Sequence, residues 1–227
     1  MLQLLKTKDN SFTLYNPELD ETYHSRHGAL QESIYVFIKQ GLHHYIERTN
    51  AKEINILEVG FGTGLNTLLT YLEFEKLPIK INYYSLEPHP IPKEIVKQLE
   101  YPEILSLNEE GKTIFYQMHD GSFLKEKNES RFQFKLLKNS FSEAIQTNIG
   151  FDTHFDLIYF DAFAPDKQPD LWTRSIFEKC SNLLKPSGMW VTYCAKGEVK
   201  RNLKSVGFKV ETLPGPPGKR EMVRAVK

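Results

Sequence analysis

The sequence predicts an α/β fold in which a mostly parallel sheet is finished by an antiparallel C-terminal strand. Three observations point there. The apolar run Ile54-Asn55-Ile56-Leu57-Glu58-Val59 enters a glycine-rich turn, Gly60-Phe61-Gly62-Thr63-Gly64, and continues into a helical stretch from Leu65, the order that opens a parallel sheet. Strand-like runs at 81–87, 131–137, 155–161 and 189–194 then alternate with helix-like segments, as in α/β folds. Last, 208–213 and 221–226 flank Pro214-Gly215-Pro216-Pro217-Gly218, a turn that lets them close as an antiparallel pair.

The 227 residues and 26.4 kDa fit one domain with a small appendage. Residues 1–50 are expected to form a hairpin-and-helix extension packed on the core, and 51–227 a Rossmann-like domain. Lys+Arg and Asp+Glu are equal at 29 each, which excludes a globally basic nucleic-acid footprint. Any polyanion must use a local patch, and from Lys196 onward nine cations stand against three acids. Cys180 and Cys194 have no metal-ligand spacing, Met1 to Lys6 lacks the apolar core of a signal peptide, and no run has membrane-spanning length. The expectation is a cytoplasmic protein with reduced cysteines and no membrane partner.

In the extension, Leu2-Gln3-Leu4-Leu5 and Phe12-Thr13-Leu14-Tyr15 flank Asp9-Asn10-Ser11 and read as a hairpin. Tyr23 to Gly28 is a polar loop, and Ala29 to about Arg48 has apolar residues near helical spacing. His24, His27, His43 and His44 lack a supporting carboxylate or cysteine arrangement, so no metal is expected.

The glycine turn indicates a nucleotide-type cofactor, because glycines permit positive φ and close ligand approach while free N–H groups at a helix start favour polar groups. The dinucleotide pattern needs glycine at position 65, where this chain has Leu65; the pattern here is E-x-G-x-G-x-G. A Glu58 carboxylate at the turn would repel a pyrophosphate and could hold an ammonium group. S-adenosylmethionine is therefore favoured over NAD.

After the turn, a helix runs to about Leu77, and Ile81 to Glu87 forms the second strand. Glu87 at its end has two acceptor oxygens suited to ribose hydroxyls. Thr113 to Met118 and Arg131 to Leu137 both look like strands; the second is chosen as the third parallel strand because 141–149 supplies its following helix, with Asn139 or Ser140 as cap. The first is left as an extra hairpin strand, with the polar loop His119 to Ser130 between them and His119-Asp120-Gly121 as a turn. Phe155 to Asp161 is the clearest central strand and delivers Asp161 to the sheet's carboxyl end. The proline- and aromatic-rich loop from Ala162 to Trp172 either lines a substrate site or docks on the protein's own surface with Phe163 and Trp172 as anchors. A helix over 175–184, a fifth strand over 189–194 and a helix over 197–206 precede the closing pair. A parallel sheet finished this way is the usual arrangement of class I S-adenosylmethionine-dependent methyltransferases.

Four segments carry a closer likeness: Tyr23-His24-Ser25 with Gly28 and 32–37; Glu58 to Asn66; Asp161-Ala162-Phe163-Ala164-Pro165 through Pro169-Asp170-Leu171-Trp172; and Gly218-Lys219-Arg220-Glu221-Met222. On these the chain resembles the tRNA 5-(aminomethyl)-2-thiouridine methyltransferases, the methyltransferase half of a bifunctional wobble-uridine modifying enzyme. The family's fused FAD-dependent oxidase domain is absent from this sequence. Where the family places Gly-Asp after the third strand, this chain has Asn139-Ser140, with Asp120 as another candidate for the adenine.

The resemblance implies methyl transfer from S-adenosylmethionine to the exocyclic amine of 5-aminomethyl-(2-thio)uridine in the tRNA anticodon arm. The expected cofactor residues are Glu58, Gly60, Gly62, Gly64, Asn66, Glu87, Asn139, Ser140 and Asp161. Asp161 is expected to orient the amine and accept its proton, with Phe163 and Pro165 shaping the pocket. Tyr23, Ser25 and Pro165 belong to the substrate side, and Phe163 or Trp172 offers an aromatic surface for the unstacked uridine. Lys196, Lys200, Arg201, Lys219 and Arg220 are candidates for phosphate contacts. The competing readings are a methyltransferase for a small free amine and a non-catalytic module that binds cofactor or tRNA.

Overall fold

The computed structural model describes residues 1–123, 131–147 and 154–227. The N-terminal segment is a small antiparallel sheet of β1 (Gln3–Lys6), β2 (Phe12–Asn16) and β3 (Glu21–Thr22), in that order. The turn between β1 and β2 is tied by Asp9, whose Oδ1 accepts from Thr7 Oγ1 at 2.6 Å and Ser11 Oγ at 2.5 Å. A continuous helical rod follows, made of α1 (Ala29–Ser33), a π-helical stretch (Ile34–His43) and α2 (His44–Thr49). Val36, Phe37 and Leu42 are buried from it against the sheet. Gly41 permits this close packing, since a Cβ there would stand 3.1 Å from the Tyr159 ring and 3.3 Å from Val191.

The main sheet contains β4 (Glu53–Val59), β5 (Lys80–Leu86), β6 (Phe132–Leu137), β7 (Phe155–Phe160), β8 (Leu184–Thr192), β9 (Lys209–Pro214) and β10 (Glu221–Val226). Their spatial order is β6-β5-β4-β7-β8-β10-β9, and β10 runs antiparallel to both its neighbours. The first five strands pair in parallel. The order reverses at β4, so the carboxyl ends of β4 and β7 face the crevice where open α/β sheets bind ligands. All six residues of β7 are buried, as a central strand covered on both faces requires.

Helix α3 (Leu65–Phe74) follows the glycine turn. The short helices α4 (Lys93–Val96) and α5 (Tyr101–Ile104) and the longer α6 (Glu109–Asp120) lie between β5 and β6. Helices α7 (Phe141–Thr147), α8 (Arg174–Leu183) and α9 (Gly197–Ser205) complete the crossovers. Apolar clusters fill both faces of the sheet, and a third lies beneath the N-terminal hairpin against α3 and α6.

One expected strand is a helix. Thr113 to Met118 belongs to α6, where Ile114, Phe115 and Met118 form one buried stripe. Asn108 caps it by accepting from Gly111 N at 2.8 Å, Glu109 and Glu110 occupy the first turn, and left-handed Gly121 ends it. His119 and Asp120 are therefore its last residues and not a turn. The expected loop over 119–130 and the helix end at 148–149 lie partly outside the described residues.

Candidate active site

A cavity of about 590 Å³ opens at the carboxyl ends of β4, β5 and β7 and is roofed by the N-terminal segment. Gly60 and Gly62 line it in left-handed conformations, with φ of 96° and 52°. A Cβ on Gly60 would fall 2.5 Å from the Asp161 carbonyl oxygen, and one on Gly62 would fall 3.1 Å from the Tyr23 ring. Only bare backbone fits there.

Thr63 holds this turn from behind. It meets His24 Nε2 at 2.7 Å and accepts from the Tyr101 hydroxyl at 3.1 Å. Burial pushes the His24 imidazole down to about 4, with nearby Glu32 opposing, so the ring is neutral at pH 7. Gly64 does not line the cavity. It lies against Phe61 and His119, and a Cβ would stand 2.9 Å from each; burial also holds His119 neutral, down to about 4.

Glu87 lines the cavity at the end of β5. Its Oε2 accepts from Gly62 N and its Oε1 from His89 N, both at 2.9 Å. Each oxygen keeps a second acceptor site, so an anchored carboxylate can still take two ribose hydroxyls. The turn, the anchored Glu87 and the bare glycine cradle fit an adenosyl group. Ser140 lies on the same wall, but its Oγ and N both bond Glu143 Oε2 at 2.8 Å, which makes it the cap of α7. Asn139 and Asp120 are not in the wall; Asp120 Oδ1 accepts from Ser122 N at 2.8 Å.

The opposite end is built around Asp161. Its Oδ2 accepts from Asn66 Nδ2 at 2.8 Å. Burial pushes the Asp161 carboxyl up to about 7, the Glu32 carboxylate adds to this, and the Asn66 hydrogen bond and Lys219 oppose it. Glu32, only 4% exposed, pairs with Lys219 Nζ at 2.5 Å and accepts from Ser25 N at 2.7 Å. The Lys219 ammonium also sits over the Tyr193 ring, 3.6 Å from its centroid. Phe163 and Tyr23 meet edge to face at 5.0 Å and form an aromatic wall.

Several sequence expectations change place. Glu58 is fully buried and absent from the cavity wall; its Oε2 accepts from Ser85 Oγ at 2.5 Å and Thr67 Oγ1 at 2.9 Å. A side chain enclosed between β5 and α3 cannot offer itself to a ligand's ammonium. Asn66 is likewise buried and acts through Asp161. Trp172 is an anchor, packed on Phe160 and Phe177 and donating from Nε1 to the Phe163 carbonyl at 2.7 Å; it does not face the cavity. Pro165 is also outside the wall, where Ala164, Gln168 and Leu171 stand. Lys219 belongs to the wall and not to an outer cationic surface. Of the remaining cations, Lys196 pairs with Asp166, Lys200 with Glu221 at 3.1 Å, and Arg201 and Arg220 are exposed. Glu32, His24, Thr63 and Tyr193 have no role assigned from sequence, although Glu32, His24 and Thr63 fall within the likeness segments.

A family model described as S-adenosyl-L-methionine-dependent methyltransferase matches residues 109–227. The chain belongs to this family. S-adenosylmethionine is accordingly its methyl donor. Among relatives, a protein from Paraburkholderia phymatum named tRNA 5-methylaminomethyl-2-thiouridine biosynthesis bifunctional protein MnmC is 31% identical over 97% of this chain. A Leptospira interrogans protein of the same name is 31% identical over 96%. This chain spans about a third of the length of these curated relatives, 34% in both cases. The crystal structure of MNMC2 from Aquifex aeolicus superposes with a TM-score of 0.79 at 26% identity, covering 99% of this chain and 70% of that one.

Among the described residues no helix is long and apolar enough to cross a membrane, and no group of three or more His, Cys, Asp or Glu could hold a metal ion.

Proposed function

We propose that this chain methylates the exocyclic amine of 5-aminomethyl-(2-thio)uridine at the wobble position of tRNA, in the cytoplasm. The observation that carries the reading is one cavity that joins the glycine cradle and Glu87 to a half-buried carboxyl, Asp161, beside the Tyr23–Phe163 wall. The names of relatives that match nearly the whole chain support the substrate class.

When bound, S-adenosylmethionine supplies an electrophilic methyl group. The chain's own residues do the rest. An aminomethyl substrate arrives mainly as an ammonium ion, which cannot attack until it loses a proton. Asp161 titrates near neutrality, so its ionised form both attracts the ammonium and accepts a proton from it. Tyr23 and Phe163 hold the flipped uracil by stacking and exclude water from the amine. Burial and the Glu87 charge push the Tyr23 phenol up to about 12, so it remains neutral. The non-catalytic reading has no use for a half-buried carboxyl poised to take up a proton at the cofactor cleft.

Activity should depend on RNA: transfer to tRNA with none to free small amines supports the proposal, and efficient transfer to free amines favours the small-amine reading. Glu87→Ala should weaken S-adenosylmethionine binding roughly tenfold to a hundredfold in calorimetry, because hydrogen bonds to a charged acceptor contribute about 1.5–3 kcal/mol. Unchanged affinity would remove Glu87 from the ribose site.

We assign the phosphate contacts of the tRNA anticodon arm to Lys196, Lys200, Arg201 and Arg220. Replacing Arg201 and Arg220 together by Gln should lower the salt dependence of tRNA binding by about one unit of slope per lost contact. An unchanged slope would place the footprint elsewhere.

A further inference from the structure

Glu58 stands two residues before Gly60 yet does not enter the cavity. Ser85, its register partner across β4 and β5, and Thr67 from α3 both donate to Oε2, while Oε1 is buried with no hydrogen-bond partner. Asn66, the neighbour of Thr67 at the start of α3, donates to Asp161 Oδ2 at 2.8 Å. The link from the sheet interior to the cavity therefore runs through the first turn of α3: Glu58 holds Thr67, and the adjacent Asn66 holds Asp161.

We propose that Glu58 is a positioning residue for Asp161, holding the first turn of α3 through Thr67 so that the adjacent Asn66 aims the Asp161 carboxylate at the substrate amine. This rests on Asp161 acting on the substrate as set out above. Glu58 performs the role as a neutral acid. The groups acting on it are hydroxyls, an amide and another carboxylate, with no cation among them, and an uncompensated buried charge is strongly disfavoured. Burial pushes its carboxyl up to about 8, Asp161 adds to this, and Ser85, Thr67 and Asn66 oppose it. Tyr83 from β5 and Tyr159 from β7 also face it. Asp161 meets Glu32 and Lys219 on its other side. A neutral Glu58 spares Asp161 a second uncompensated negative charge and leaves it ionisable near pH 7.

The test compares Glu58→Ala and Glu58→Gln in the full chain by S-adenosylmethionine calorimetry, thermal unfolding against pH, and methyl transfer against pH. Glu58→Ala should lower kcat by about tenfold or more through misplacement of Asp161 and shift the acid limb of the pH profile, with cofactor affinity little changed. Glu58→Gln, which keeps the shape and charge of the neutral acid, should restore most of that loss. The stability comparison has a definite sign. A carboxyl whose folded pKa lies near 8 is most stabilising below its unfolded pKa, and this contribution is lost as pH rises to about 8. The midpoint of Glu58→Gln relative to the parent should therefore climb across that window and level off above it.

A flat difference, together with a large loss of cofactor affinity in Glu58→Gln, would overturn the proposal and make Glu58 a direct ligand of the methionine ammonium. Normal kcat and an unmoved acid limb in Glu58→Ala would also overturn it. The calorimetric and unfolding readouts need no RNA, so failure of the tRNA reading would show separately, as absence of transfer by the parent protein.

Discussion

Asp161→Asn should reduce methyl transfer about a hundredfold or more while S-adenosylmethionine affinity changes only a few-fold. General-base catalysis typically contributes about 10²- to 10⁴-fold, and the asparagine removes that capacity with almost no change of shape. Its amide oxygen can still accept from Asn66 Nδ2, now at 2.8 Å from Asp161 Oδ2, so the wall remains in place. The pH dependence provides a second readout. With the Asp161 carboxyl pushed up to about 7 by burial and by Glu32, the base is protonated below neutrality and ionised above it. The parent's kcat/KM should rise as pH increases through about 7, and the variant should lack this limb. Steady-state transfer on either side of neutrality, paired with calorimetry, checks both. Parent-like turnover by Asp161→Asn would end its role as base, leaving it as a structural end to β7.

Gly60→Ala should nearly abolish cofactor binding and destabilise the fold by about 2–4 kcal/mol. Two costs coincide at this position. The backbone has φ of 96°, a region that side-chain-bearing residues resist, and a Cβ would sit 2.5 Å from the Asp161 carbonyl oxygen. Neither β4 nor β7 can yield easily, because Asp161 N is held to the Val59 carbonyl at 2.9 Å. Any relief moves the first glycine into the cofactor's space or Asp161 away from the substrate. Denaturant unfolding and calorimetry read the two effects; a protein of parent stability and affinity would show that the cradle is wider than described. Gly64→Ala provides a contrast, because Gly64 contacts His119 and Phe61 and its loss should act mainly through α6 packing.

The parts legible from sequence were those whose local signals agree with their tertiary setting. The buried run into Gly60, the central strand ending at Asp161 and the pair around Pro214 to Gly218 each combine a strand pattern with unambiguous turn chemistry, and each forms the element expected. Thr113 to Met118 misled because β-branched and aromatic residues favour strands locally, whereas the caps at Asn108 and Gly121, just outside the run, decide for a helix.

The site was less legible because sequence order does not state which way a side chain points. Glu58 and Val59 are neighbours, yet only Val59 reaches the cavity wall, since successive strand residues face opposite sides. Lys219 and Arg220 are adjacent cations with different environments. One is drawn to Glu32 and Tyr193 in the wall, while the other's side chain is 94% exposed. Glu32 pairs with a residue nearly at the far end of the chain, a contact that periodicity and spacing do not encode. Trp172 could be read from sequence either as a base platform or as a buried anchor, and its position against Phe160 and Phe177 selects the anchor.

The central claim is tested most directly by incubating the protein with methyl-labelled S-adenosylmethionine and tRNA carrying unmethylated 5-aminomethyluridine, then digesting the RNA to nucleosides. The account predicts label in 5-methylaminomethyluridine or its 2-thio form and in no other nucleoside. Label elsewhere, or none from a preparation that binds the cofactor normally, would contradict it.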